Sequence, residues 1–194
     1  MSQNEHLAPL LAALKDLSTW FKAEKIPGVI IGGVAASILG RPRLTRDVDA
    51  MVLLDNDAWS GFLKIGKQFG FFPRHHDPIT FAEKKRVILV HHKPSGVDID
   101  ISVGILPFEL EVIKSIKWIE VSGVKIPLPA PEDLIIMKAV AHRQRDLIDI
   151  EAIFDVHPKL NLKRIRKWVK EFSAVLEMPE ILKDIERILK RKKK

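Results

Sequence analysis

Leu7, Leu10, Leu11, Leu14, Leu17 and Phe21 recur at spacings of three and four, which predicts an amphipathic helix. Ile26-Pro27-Gly28 closes it. Val29-Ile30-Ile31 is short, β-branched and wholly apolar, the pattern of a buried strand. Gly32-Gly33 follows, and residues 34–39 read as a short helix. Residues 41–46 are a polar loop, and 47–54 a second buried strand. Asp57 is expected to cap a helix running to residue 68, with Trp59, Phe62, Leu63 and Phe69 as its apolar side. Asp77-Pro78 predicts the start of another helix, ending near Arg86. Residues 87–91 and 97–103 are strands, and Lys93-Pro94-Ser95-Gly96 joins them as an antiparallel hairpin. A helix over 107–116 precedes a second small hairpin, 118–121 and 124–126, turning at Ser122-Gly123. Beyond Pro131 the pattern is helical throughout: 132–141, 146–154, 162–176 and 180–192. The boundary is placed in the proline-rich stretch 127–131. The expected fold is α/β (α+β), a small mixed sheet flanked by helices over 1–128, with a C-terminal helical segment over 129–194.

Composition narrows the setting. Of 194 residues, 46% are hydrophobic and 29% charged, a globular balance with enough apolar surface for a core. No apolar run approaches the ~18 residues of a membrane span, and the N-terminus has no basic leader, so no membrane and no secretory route are expected. The chain has no cysteine. That excludes disulfides, a thiolate nucleophile and Cys-ligated metals. We read a cytoplasmic setting, although a cysteine-free chain also suits an oxidising one. Net charge is +7, and the last eight residues hold six bases and no acid, leaving +1 for the rest. Such a tail attracts phosphate polymers at low salt. The plainer reading is a solubilising helix end whose bases oppose the macrodipole. His75-His76 and His91-His92 invite a zinc reading, but neighbouring strand residues point to opposite faces, so neither pair chelates one ion. The tryptophans at 20, 59, 118 and 168 are read as core.

The chemistry lies in the acids. Asp47 and Asp49 fall two apart on an otherwise apolar strand, as do Asp98 and Asp100 on another. Each pair therefore points to one face. Two like charges ~4 Å apart repel by about 4 kcal/mol at an effective dielectric near 20. Such acids are protonated, or wet at a sheet edge, or compensated by a cation. A hard cation such as Mg²⁺ suits oxygen ligands beside phosphates. Gly32-Gly33 ends a strand and opens a helix, with Gly33 14 residues before Asp47. Glycine lets a backbone approach a phosphate closely, and a helix N-terminus offers free N–H groups. The bland alternatives are a tight strand–helix turn for the glycines and capping for the acids. For Arg43 and Arg46 the alternative is a solvated loop or a salt bridge to Asp55 or Asp57.

Ile31-Gly32-Gly33, thirteen residues and Asp47-Val48-Asp49-Ala50 together resemble the signature of the DNA polymerase β-like nucleotidyltransferase superfamily. Arg43-Leu44-Thr45-Arg46-Asp47-Val48-Asp49 resembles the form seen in minimal prokaryotic members, including the abortive-infection toxins of type IV toxin–antitoxin pairs. A helix carrying Lys138, followed by His142-Arg143-Gln144-Arg145-Asp146-Leu147-Ile148-Asp149, is similar to their downstream element. The resemblance implies transfer of a nucleoside monophosphate from an NTP to an acceptor hydroxyl, with release of pyrophosphate. It implies Mg²⁺ or Mn²⁺ on Asp47, Asp49 and a third carboxylate, Asp100 or Asp98, with Asp100 preferred. Gly32, Gly33, Arg43, Arg46 and Lys138 would bind nucleotide, and an unbroken helix would set Lys138, His142, Arg145 and Asp149 on one face. The acceptor is expected to be RNA, a protein side chain or a small molecule, and an antitoxin protein is an expected partner. The alternatives are a catalytically silent nucleotide- or RNA-binding regulator and a metal-dependent glycosyltransferase.

Overall fold

The structure is a computed structural model describing residues 3–191. The expected basic tail beyond 191 lies outside the described residues. The chain forms two compact units. The first comprises the chain up to Val34 together with Leu44–Pro129; the second comprises Ala35–Arg43 and the chain from Ala130 onward.

In the first unit, α1 (Gln3–Ala23) leads to β1 (Gly28–Ile31). α2 (Gly32–Leu39) opens directly at the glycine pair, and β2 is Asp47–Val52. α3 (Trp59–Gly66), β3 (Phe71–Pro73), α4 (Pro78–Lys85), β4 (Val87–His92), β5 (Val97–Val103) and α5 (Pro107–Lys114) follow. β6 (Lys117–Val121) and β7 (Val124–Leu128) form a separate hairpin. The five-stranded sheet has the order β1-β2-β5-β4-β3. Only β2 and β5 run parallel; their neighbours pair antiparallel.

One face of this sheet is core. Val48, Ala50, Ile88, Val90, Ile99 and Ile101 are fully buried. Each such aliphatic side chain removed from water contributes about 1.5–3 kcal/mol. Aromatic rings from three elements join the core, with Trp20 of α1 stacked on Phe62 of α3 at 4.0 Å and on Phe71 of β3 at 5.1 Å. α4 begins as expected: the Asp77 side chain accepts from the Thr80 N–H at 3.2 Å, and Pro78 occupies the first turn.

Three expectations needed correction. The helix expected over 57–68 is a short α3 between two single 3₁₀ turns, Asn56–Ala58 and Lys67–Phe69, and Asp57 does not cap it. The end tightens to 3₁₀ and stops at Gly70, whose φ is +85°. β3 was not foreseen, because three residues ending in proline carry no readable alternation. Trp118 is not core: it is 53% exposed on β6, with the Lys22 ammonium 5.0 Å from its ring centre.

The second unit contains α6 (Pro131–Ala141), α7 (Gln144–Val156), α8 (Leu162–Val175) and α9 (Pro179–Arg191). The Asn161 side chain caps α8 by accepting from the Arg164 N–H at 3.1 Å. α6 ends at His142, whose φ of 50° is left-handed, and α7 then starts afresh. Lys138, His142, Arg145 and Asp149 therefore do not share one helix face.

Candidate active site

The parallel register of β2 and β5 sets Asp47 opposite Asp98 and Asp49 opposite Asp100. Residues paired across a ladder share a face. All four carboxylates thus stand together at the N-terminal ends of two central strands, on the face opposite Val48, Ala50, Ile99 and Ile101. Asp49 and both β5 acids are half-buried, and Asp47 is exposed. Thr45 donates its hydroxyl to Asp47 Oδ1 at 3.0 Å.

The glycine turn lies on the other flank of the same row. Ile31, the last residue of β1, pairs with Asp49, so the chain leaves the sheet beside that carboxylate. Gly32 has φ +63°, and a β-carbon there would overlap the Asp49 carboxylate. Glycine is required twice over, for the left-handed backbone and for the close approach of an acid. Gly33 is buried in the first turn of α2, and Arg46 is exposed next to Asp47.

On the far side the row ends in bases that sequence reasoning missed. Leu89 of β4 pairs with Asp100, and the Arg74 main-chain N–H donates to the Leu89 carbonyl at 3.0 Å. The Arg74 guanidinium spans both β5 acids, donating through Nη1 to Asp98 Oδ2 at 3.2 Å and through Nη2 to Asp100 Oδ1. His91, which pairs with Asp98, shares a 2.7 Å hydrogen bond between its Nδ1 and Asp98 Oδ1. The available signal was charge balance: acids on apolar strands need cations, and Arg74-His75-His76 is a basic run between elements.

The donor set suits a divalent hard cation: carboxylate oxygens from two adjacent strands, beside a turn whose missing β-carbon leaves room for one of them. Among the described residues, no three His, Asp or Glu side chains already stand in a coordinating cluster. Arg74 meanwhile engages the β5 pair.

Arg43 and Lys138 belong to the second unit, where both are taken up by an acid network. Arg43 grips Asp149 with two hydrogen bonds, Nε to Oδ1 at 2.8 Å and Nη2 to Oδ2 at 2.9 Å. The Lys138 ammonium, with its side chain only 5% exposed, lies 2.7 Å from Asp149 Oδ2 and 2.9 Å from Asp146 Oδ1. Burial works to raise the Asp149 pKa, but the hydrogen bonds from Arg43 and Lys138, helped by their charges, outweigh it and hold the carboxyl below its ordinary range. Arg43 thus has an acid partner, but it is Asp149 rather than Asp55 or Asp57.

A five-stranded mixed sheet with a carboxylate row beside a Gly-Gly turn is a nucleotidyltransferase architecture, and the chain's own match makes the class specific. Residues 10–193 match the family described as nucleotidyl transferase of unknown function (DUF2204), and the chain belongs to that family. Membership of that family makes the chain a nucleotidyltransferase. No curated protein is significantly similar to it in sequence. Solved structures share its fold. The antibiotic-resistance factor ANT(2'')-Ia is 12% identical with a TM-score of 0.61, covering 90% of this chain and 96% of its own. An antigenic nucleotidyltransferase-like protein from Paracoccidioides brasiliensis is 17% identical with a TM-score of 0.56, covering 90% of this chain and 92% of its own. The lincosamide antibiotic adenylyltransferase LnuA, solved with lincomycin bound, is 14% identical with a TM-score of 0.50, covering 73% of this chain and 94% of its own. Likeness at these identities concerns fold alone. Among the described residues, no helix is long and apolar enough to cross a membrane.

Proposed function

We propose that this chain transfers a nucleoside monophosphate from an NTP to an acceptor hydroxyl, with Asp47, Asp49 and Asp100 as the carboxylates that hold Mg²⁺ or Mn²⁺. The observation that carries the reading is the register: Asp49 faces Asp100 across a parallel ladder, directly beside Gly32. Asp100 is preferred to Asp98 as the third acid because it lies in the Gly32–Asp49 row, whereas Asp98 is also committed to His91.

A divalent ion held by these carboxylates would offset the triphosphate's charge and would make the acceptor hydroxyl easier to deprotonate. The protein's own groups do the rest. The Gly32-Gly33 turn and the start of α2 present main-chain N–H groups to phosphate oxygens. Asp47 and Asp49 would hold the divalent ion that neutralises the triphosphate, and Asp100 would complete its oxygen ligands beside the acceptor. The acceptor oxygen bonds to the α-phosphorus as the bond to pyrophosphate breaks, and the hydroxyl proton passes to water. Exposed Arg46 is positioned to meet a phosphate. Lys138 and Arg43 act as positioning residues within the second unit, Arg43 tying the end of the 35–43 segment to α7 and Lys138 tying α6 to it.

For the acceptor we favour RNA in the cytoplasm, on the excess of bases at the C-terminal end. The small-molecule alternative follows from the antibiotic adenylyltransferases that share the fold. Incubation with each α-labelled NTP, Mg²⁺ and either total cell RNA or an aminoglycoside panel separates them. Label transfer that disappears in Asp47→Ala and Asp49→Ala is the expected result. Equal transfer by these variants, or stabilisation by NTP without turnover, overturns the assignment, the latter in favour of a silent regulator. Growth arrest on expression, relieved by Asp49→Ala and by a co-expressed neighbouring protein, is the outcome that supports a toxin with an antitoxin partner.

A further inference from the structure

We propose that Arg74 is a resident counter-ion that a divalent cation must displace from Asp100. This deepens the reading above and rests on it. The Arg74 backbone is fixed in the sheet by its bond to Leu89, and its guanidinium lies across the two β5 carboxylates. A guanidinium cannot give up its proton and offers donors only. It therefore keeps its single positive charge against Asp98 and Asp100 while it stays, and that charge, with its hold on Asp100 Oδ1, opposes a divalent ion at the same carboxylate.

The surroundings make exchange cheap. The Arg74 side chain is 28% exposed, and Asp98 and Asp100 are 45% and 44% exposed. Ion pairs this open to water are weak. The contrast is with Lys138 and Asp149, both 5% exposed, whose separation would strand buried charge. His91 also holds Asp98, so Asp98 keeps a partner when Arg74 leaves. Asp100 is the carboxylate that exchange sets free. Arg74 thereby lowers the apparent affinity for a divalent ion by the fraction of time it is off Asp100. It is a positioning residue for the reaction, acting through the carboxylate it covers.

Mn²⁺ titration of the full chain without nucleotide, read by EPR of the free ion, tests this without recourse to turnover. The chains are wild type, Arg74→Gln, Asp100→Asn, the double variant and Asp49→Asn, each checked for an unchanged thermal melt. Arg74→Gln is expected to bind Mn²⁺ about five-fold more tightly, the factor of one exposed ion pair. In the Asp100→Asn background the same substitution is expected to change affinity by less than about two-fold, because the contested oxygen is gone. Equal tightening in both backgrounds means that Arg74 acts only through distant charge, and overturns the exchange. Equal binding by wild type and Arg74→Gln, with Asp49→Asn weakened, also overturns it while leaving the metal reading intact. If Asp49→Asn and Asp100→Asn bind as wild type does, the metal site is elsewhere and both readings fall.

Discussion

Gly32 is the point where backbone strain and site chemistry can be separated by experiment. Its φ of +63° alone makes Gly32→Ala cost about 1–2 kcal/mol, the ordinary penalty of a left-handed alanine. Its β-carbon would also overlap the Asp49 carboxylate, which must turn out of its place. Crowding of this kind costs a further 1–3 kcal/mol or so. Gly123 supplies the control: at φ +79° it has the same strain, but nothing lies within 4 Å of its would-be β-carbon. Urea denaturation should place Gly123→Ala about 1–2 kcal/mol below wild type and Gly32→Ala roughly 1–3 kcal/mol lower still. Nucleotidyl transfer should be unchanged in Gly123→Ala and fall on the order of a hundred-fold in Gly32→Ala, since a shift of about 1 Å in a reacting group costs that much. Equal destabilisation of the two variants, with transfer retained in both, would refute the claim that the glycine turn makes room for Asp49.

Lys138→Met should destabilise the chain by about 3–5 kcal/mol in urea denaturation, because it leaves the nearly buried Asp146 and Asp149 short of a partner; a loss under 1 kcal/mol would contradict the positioning role. The folded Asp149 pKa lies below its usual 3.8, so its ion pairs contribute full stability above about pH 4 and lose it as pH falls through the lower folded value. Asp149→Asn should therefore flatten the acid limb of the stability profile below about pH 4, and parallel acid limbs for the two proteins would refute the pairing.

Much of the sheet was legible because alternation is local. Val48 between Asp47 and Asp49, and Ile99 between Asp98 and Asp100, announce strands with one dry and one wet face. The Lys93–Gly96 turn announced the β4–β5 hairpin. Which acids stand opposite one another was not legible, since the β2–β5 register joins segments about fifty residues apart. Arg74 was missed for the same reason: it meets Asp100 across two intervening ladders, and its basic run signals a charge in need of acids without saying which. Lys138 was singled out only through the resemblance, as a nucleotide ligand, and the acids that hold it were not. Its partners lie beyond a helix break at His142, where a left-handed residue other than glycine gives little warning. Trp118 misled because a large ring on a two-stranded hairpin reads as core, while its hairpin leaves that side open.

The alternation of acids and aliphatics on β2 and β5 also bears on how the chain avoids misfolding. If β2 slipped by one residue against its neighbours, Asp47 and Asp49 would turn into the dry layer, and Val48 and Ala50 would turn out into water. Each carboxylate so entombed would cost several kcal/mol. The groups assigned to nucleotide chemistry therefore double as proofreaders of strand alignment, vetoing the offset sheet before any substrate is present.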